Sequence, residues 1–138
     1  MASTSLSTPL PTGLSEKNVI LCLQNHDLFI KTVCLSLQSY KLESGDPNTE
    51  ATYDIVDKTN FKLTLTNVEG GVNSVIVASA PIGTLTLSSK WRAVDGKLKE
   101  DIVIDGNKVA KMIGKATVER SHSEMQKRLI EESGKVQA

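Results

Sequence analysis

The middle of the chain alternates between apolar and polar side chains with a period of two. Phe61, Leu63 and Leu65 alternate with Lys62, Thr64 and Thr66; Ala51, Tyr53 and Ile55 alternate with Thr52, Asp54 and Val56. Successive strand residues point to opposite faces, so each run predicts a strand with one covered face. Leu35 and Leu37 open a similar run through Tyr40 and Leu42. Three more follow at Val72 to Ala80, Thr84 to Arg92 and Leu98 to Ile104, with Leu85, Leu87, Ser89 and Trp91 sharing one face. Turn-forming composition separates them at Ser44-Gly-Asp-Pro-Asn48, Glu69-Gly-Gly71, Pro81-Ile-Gly83 and Asp95-Gly96, the last a strong hairpin signal. Residues 3 to 10 alternate weakly and lead into Pro9-Leu-Pro11. Proline cannot donate to a ladder, which predicts an edge strand or extended arm.

Two stretches carry helical spacing instead. Ser15 is a candidate cap for a helix with Glu16 in its first turn and Val19, Ile20 and Leu23 on one side; Asn25-His26-Asp27 is a break, and Leu28 to Val33 a second short helix. Asn107 can cap a long helix reaching about Glu132, with fraying after Ser133. Its apolar pattern is not a single stripe. Val109, Met112, Ile113 and Ala116 share one side, whereas Val118, Met125 and Leu129, with His122 among them, lie nearly opposite. This predicts a bend near Gly114 or two halves packed on different partners.

The order is strand, helix pair, a run of about six antiparallel strands and one long helix. A twisted meander of that length curls, and the last helix covers its open side. The expected architecture is therefore one α+β domain over residues 1 to 138, with a curled sheet of six to seven strands gripping the C-terminal helix around an apolar cavity. Phe61, Leu63, Leu65, Leu85, Leu87, Trp91, Met112 and Ala116 are the expected ligand-binding lining.

Composition narrows the functional classes. Lysine plus arginine equals aspartate plus glutamate at 16 each. That balance gives no pull toward nucleic acid and little protection against self-association, so a homodimer is compatible with it. No basic-then-apolar leader and no bilayer-length apolar run is visible, which predicts a cytoplasmic protein with no membrane insertion. Cys22 and Cys34 sit in apolar runs without metal spacing and are expected to be buried free thiols. No phosphate loop, nucleophile elbow or ligand-spaced Cys/His set occurs, so neither a cofactor nor a metal is expected.

Several short segments resemble the START-like, or helix-grip, superfamily, which includes polyketide cyclases and aromatases, plant PR-10 proteins and lipid-transfer domains. They are Thr8-Pro-Leu-Pro-Thr-Gly13, Leu23-Gln-Asn-His26, Ala80-Pro-Ile-Gly83 followed by Trp91, Leu98-Lys-Glu-Asp101 and Ser121-His122. More closely, the chain resembles a group of small uncharacterised fungal proteins of that superfamily, although it is shorter and poor in aromatic residues. The resemblance implies a ligand-binding fold and a cyclase or isomerase of secondary metabolism. It transfers no catalytic residue.

Among polar residues, Glu100 is in register with Leu98, Ile102 and Ile104 and so points to the concave side. A carboxylate there either stays protonated or takes a cationic partner, for which Arg120 is a candidate, and either state suits proton transfer. Tyr53 could donate to a ligand carbonyl, and His26 could shuttle protons. Glu100, Tyr53 and His26 are thus the candidate catalytic groups. His122 reads more simply as structural, and Trp91 as core packing or a pocket wall. The sequence expectation is a cofactor-free cyclase or isomerase acting on a reactive apolar intermediate. The alternatives are a carrier of a lipid or hydrophobic metabolite, or an interaction module with a filled core.

Overall fold

The computed structural model describes residues 2–80 and 83–135. Strand β1 (Ala2–Pro9) precedes helices α1 (Glu16–Gln24) and α2 (His26–Val33). Strands β2 (Ser39–Gly45), β3 (Glu50–Val56), β4 (Asn60–Val68), β5 (Gly71–Ala80), β6 (Gly83–Val94) and β7 (Lys97–Asp105) follow, then helix α3 (Lys108–Lys135). The strands form one antiparallel sheet in the order β1-β7-β6-β5-β4-β3-β2. The sheet curls around α3, as the meander predicts. The Pro81-Ile82 part of the expected turn, and the tail beyond Lys135, lie outside the described residues.

Local chemistry sets the boundaries. Ser15 accepts from the Asn18 amide and caps α1; Asn25 closes α1 and, through Oδ1, accepts from the Leu28 amide to open α2. One asparagine between two caps breaks what the apolar spacing would otherwise continue. Asn107 Oδ1 accepts from the Ala110 amide at 2.8 Å at the start of α3. Asp95 and Gly96 both have positive φ, 54° and 70°, as a two-residue hairpin turn with the right twist requires. The run beginning at Leu35 departs from expectation. Residues 34–38 are not strand, and β2 starts only at Ser39. Cys34 closes α2 with its amide on the Ile30 carbonyl, and Leu37 donates back to Cys34, so this segment is a helix exit.

Helix α3 is continuous, with no break at Gly114. Its two halves do pack on different partners. Val118 packs with Ile102, Ile104 and Leu85 over β6 and β7, whereas Leu129 and Ile130 join the larger core with Val19, Cys22 and Leu23 of α1. The inward stripe runs Ala110, Gly114, Val118, His122, Gln126 and Leu129. Its small members let the helix approach the sheet. A Cβ on Gly114 would lie 3.1 Å from both Ile104 Cγ2 and Leu85 Cδ1. Both cysteines are free and buried. No helix among the described residues is long and apolar enough to cross a membrane.

Candidate active site in the sheet–helix cavity

The space between the sheet and the first half of α3 is a cavity of about 520 Å³. Strand parity builds its wall in rows. Register places Trp91 opposite both Val72 and Glu100; the next row holds Ser74, Ser89 and Ile102, and the next Leu63, Ile76, Leu87 and Ile104, of which Trp91, Ser74, Ser89, Leu63, Ile76 and Leu87 border the cavity. Leu85 and Phe61 continue toward the rim, where Leu35, Lys58 and Ile113 stand. The wall thus carries Trp91, Ser74 and Ser89 at its inner end and Leu63, Ile76 and Leu87 beyond them, with Ser36, Asp57, Lys58 and Thr59 where it meets solvent.

At the inner end a carboxylate and an imidazole meet. Glu100 is 0% exposed, and His122, 6% exposed, donates from Nδ1–H to its Oε2 at 2.7 Å. Gln126 Nε2 lies 3.5 Å from Glu100 Oε1 and 3.4 Å from the Leu6 carbonyl. The Gln126 amide is oriented by Thr8, whose hydroxyl donates to Gln126 Oε1 at 2.6 Å. Trp91 stacks on the imidazole, with centroids 6.1 Å apart and planes 17° from parallel. The ring is therefore fixed by a hydrogen bond on one edge and an indole on one face. With Nδ1 engaged, Nε2 is the nitrogen left for the cavity, and its tautomer follows from the Glu100 bond.

The expected partner of Glu100 was Arg120, but Arg120 is exposed and His122 takes the position. Two helical residues differ by about 200° in direction, so Arg120 points away from the sheet when His122 points toward it. Met112, 65% exposed, and Ala116, also exposed, are on the solvent side of α3 for the same reason and do not line the cavity. Gly114 and Thr117 line it in their place. Phe61, Leu63, Leu85, Leu87 and Trp91 border the cavity, whereas Leu65 is buried in the core beyond it.

His26 and Tyr53 are not brought to Glu100. They border a separate, shallower cleft of about 630 Å³ between α1, α2 and the β2–β3 hairpin. There Asn67 donates from Nδ2 to the Asn48 and Gln24 carbonyls, which leaves Oδ1 to accept from His26 Nε2–H at 2.9 Å. His26 Nδ1 then accepts from the Tyr53 hydroxyl at 2.8 Å. Burial pushes the His26 pKa down, with Asn67 partly opposing, and burial likewise raises that of Tyr53. This is a neutral imidazole used as a cross-brace, with Tyr40 hydrogen-bonded to Asp27 beside it.

Sequence reasoning passed over His122 and Gln126 as functional groups. The available signal was their spacing of four on the stripe of Val118 and Leu129: two polar residues in line with core positions need a buried partner, and Glu100 is the one inward carboxylate of β7. No group of three or more potential metal ligands occurs among the described residues.

No protein-family model and no curated protein matches the chain. Solved structures do. Hypothetical protein jhp0584 from Helicobacter pylori aligns with a TM-score of 0.64 at 13% identity, over 95% of this chain and 86% of that one. Ara h 8.0201 aligns with a TM-score of 0.64 at 12% identity, over 96% and 97%. The di-domain ARO/CYC BexL from the BE-7585A biosynthetic pathway aligns with a TM-score of 0.61 at 8% identity, over 96% of this chain and 48% of that protein. The fold is the START-like helix grip. At these identities the likeness extends to architecture and to no particular residue.

Proposed function

We propose that the protein binds an apolar small molecule in the sheet–helix cavity and acts on it as a cofactor-free cyclase or isomerase. The intermediate would be of the polyketide or terpenoid type, as in secondary metabolism. The observation that carries this reading is the buried Glu100–His122 pair, whose imidazole borders the inner end of a largely apolar cavity. A purely storage cavity has no need of a buried carboxylate holding an imidazole by one nitrogen. Likeness to one ARO/CYC architecture adds support at the level of fold.

The chemistry follows from the pair. His122 Nε2 takes a proton from a carbon next to a carbonyl; the C–H electron pair forms a new C=C bond and the carbonyl pair moves onto oxygen as an enolate. Glu100 balances the imidazolium so formed. Returning the proton to another carbon is isomerisation. Attack of the enolate carbon on a second carbonyl forms a C–C bond, and the proton then goes to the new alkoxide. The apolar wall excludes water and holds the reacting carbons together.

Proton exchange tests this without knowledge of the natural substrate. With 2-nonanone in deuterated water, the protein should accelerate deuterium incorporation at the carbons beside the carbonyl. Glu100→Gln keeps the shape but removes the charge that balances the His122 imidazolium, and should reduce that rate about a hundredfold or more, the scale expected when the base it supports is disabled. Equal rates in folded wild type and Glu100→Gln would favour a non-catalytic carrier of hydrophobic metabolites.

A further inference from the structure

Two serine side chains in the cavity wall have no counterpart in the proton-transfer pair. Ser74 and Ser89 are direct cross-strand partners on β5 and β6, one row from Trp91 and Glu100. Both are buried, at 5% and 4% exposure, and both border the cavity. Direct antiparallel partners carry their Cβ atoms about 4.5–5.5 Å apart, so the two hydroxyls are neighbours. Ser74 Oγ accepts from the Trp91 indole N–H at 3.2 Å. Its own proton is then left to donate, and the indole bond makes it a better donor. The Ser89 hydroxyl has no protein partner among the described residues. Its oxygen is not sealed off but borders the cavity, where it can donate to an acceptor on a bound molecule.

We infer that Ser74 and Ser89 form an oxygen-anchoring subsite, and that the ligand is an elongated amphiphile whose carbonyl end enters first. The inference rests on the proposed function for the role of the cavity. Two hydroxyls on one row of the wall would donate together to a carbonyl oxygen, one strand row from Trp91, on which the His122 imidazole stacks. Leu63, Ile76, Leu87 and Leu85 match a hydrocarbon body, while Ser36, Asp57, Lys58 and Thr59 bring polar groups back where the wall meets solvent. An oxygen held by two donors beside a base is also where negative charge develops during enolisation, so the same hydroxyls would stabilise the enolate. The substrate class is thus a ketone or thioester with an apolar chain, in preference to a uniformly apolar terpene hydrocarbon.

The test uses N-phenyl-1-naphthylamine as a neutral fluorescent occupant and its displacement by 2-nonanone or by nonane. Wild type should favour the ketone by about tenfold, the scale of one to two net hydrogen bonds. Ser89→Ala should cut that preference to about threefold or less, and Ser74→Ala with Ser89→Ala should remove it, with uptake of the fluorophore unchanged. Trp91 is the single tryptophan, so its indole N–H is a unique NMR signal. The acyl methyl of bound 2-nonanone should show an Overhauser effect to that proton, and the chain-end methyl to Phe61. A ketone preference that survives the double substitution, or a reversed Overhauser pattern, would overturn the anchor. So would equal affinity of wild type for ketone and hydrocarbon, although cavity binding would then still stand. Failure of wild type to take up the fluorophore at all would instead remove the cavity reading, and the anchor with it.

Discussion

His26 shows how a single buried imidazole sets a pH dependence. Its two nitrogens are saturated in the neutral state, and burial holds its pKa below the ordinary 6.5. The unfolded chain therefore binds a proton that the folded chain resists. Stability from this group is complete above about pH 6.5 and is lost as pH falls from there toward the lowered folded value. The melting temperature should decline between pH 7.5 and 5.5, and His26→Gln should flatten the decline while lowering stability overall, since Tyr53 loses its acceptor. Parallel pH profiles for the two proteins would place the sensitivity elsewhere. Cys34 offers a second residue-scale check. Burial, with the Asp57 carboxylate adding, pushes its thiol up to about 12. Only about one molecule in 10⁵ carries the thiolate at pH 7, so an aromatic disulfide reagent should label neither cysteine in the native protein and both in denaturant. Rapid native labelling would contradict this.

At the scale of elements, α3 is the informative case. The apolar residues that stand out in its first half, Val109, Met112 and Ile113, are exposed, while the inward stripe is Ala110, Gly114 and Val118. A helix can lie close to a curled sheet only if its inner face is small, and closeness here determines which residues reach Glu100. Gly114→Ala tests the spacing. Helix propensity favours alanine by about 1 kcal/mol, and the new methyl would press on Ile104 and Leu85 at 3.1 Å. Leu85 borders the cavity and can yield into it. Denaturant unfolding should give a stability within about 1 kcal/mol of wild type. Gly114→Leu exceeds that allowance and should both destabilise the protein and reduce uptake of N-phenyl-1-naphthylamine. A large loss from alanine alone would mean that Leu85 is locked in place.

For the whole molecule, the cavity is the feature that separates a binding protein from a filled core. Leu87→Trp places a large ring into about 520 Å³ of space. The expected result is a folded protein with an unchanged or higher melting temperature and no uptake of the fluorophore. A small ligand that occupies the cavity of wild type should raise the melting temperature, by about 2.7 kcal/mol of stabilisation at a hundred times its Kd, and should not do so in Leu87→Trp. Unfolding of Leu87→Trp under conditions where wild type is stable would show that the cavity wall cannot accept added volume.

Much of the architecture is written locally. The period of two from Ala51 to Ile104 selects the concave face, Asp95-Gly96 forces a hairpin, and the caps at Ser15, Asn25 and Asn107 start or divide the helices. Each depends on residues within a few positions, which is why the succession of strands, the helix pair and the inward direction of Glu100 were legible. The rotation of α3 about its axis was not. Two stripes of similar apolar content compete in the sequence, and the choice depends on fit against β6 and β7: the smaller stripe wins because it permits contact with Leu85 and Ile104. That choice brings His122 to Glu100 across 22 residues, moves Met112 and Ala116 out to solvent, and leaves His26 and Tyr53 to brace another cleft. Side-chain direction along a strand is a property of the chain, whereas the meeting of two polar groups from a strand and a helix is a property of how they pack.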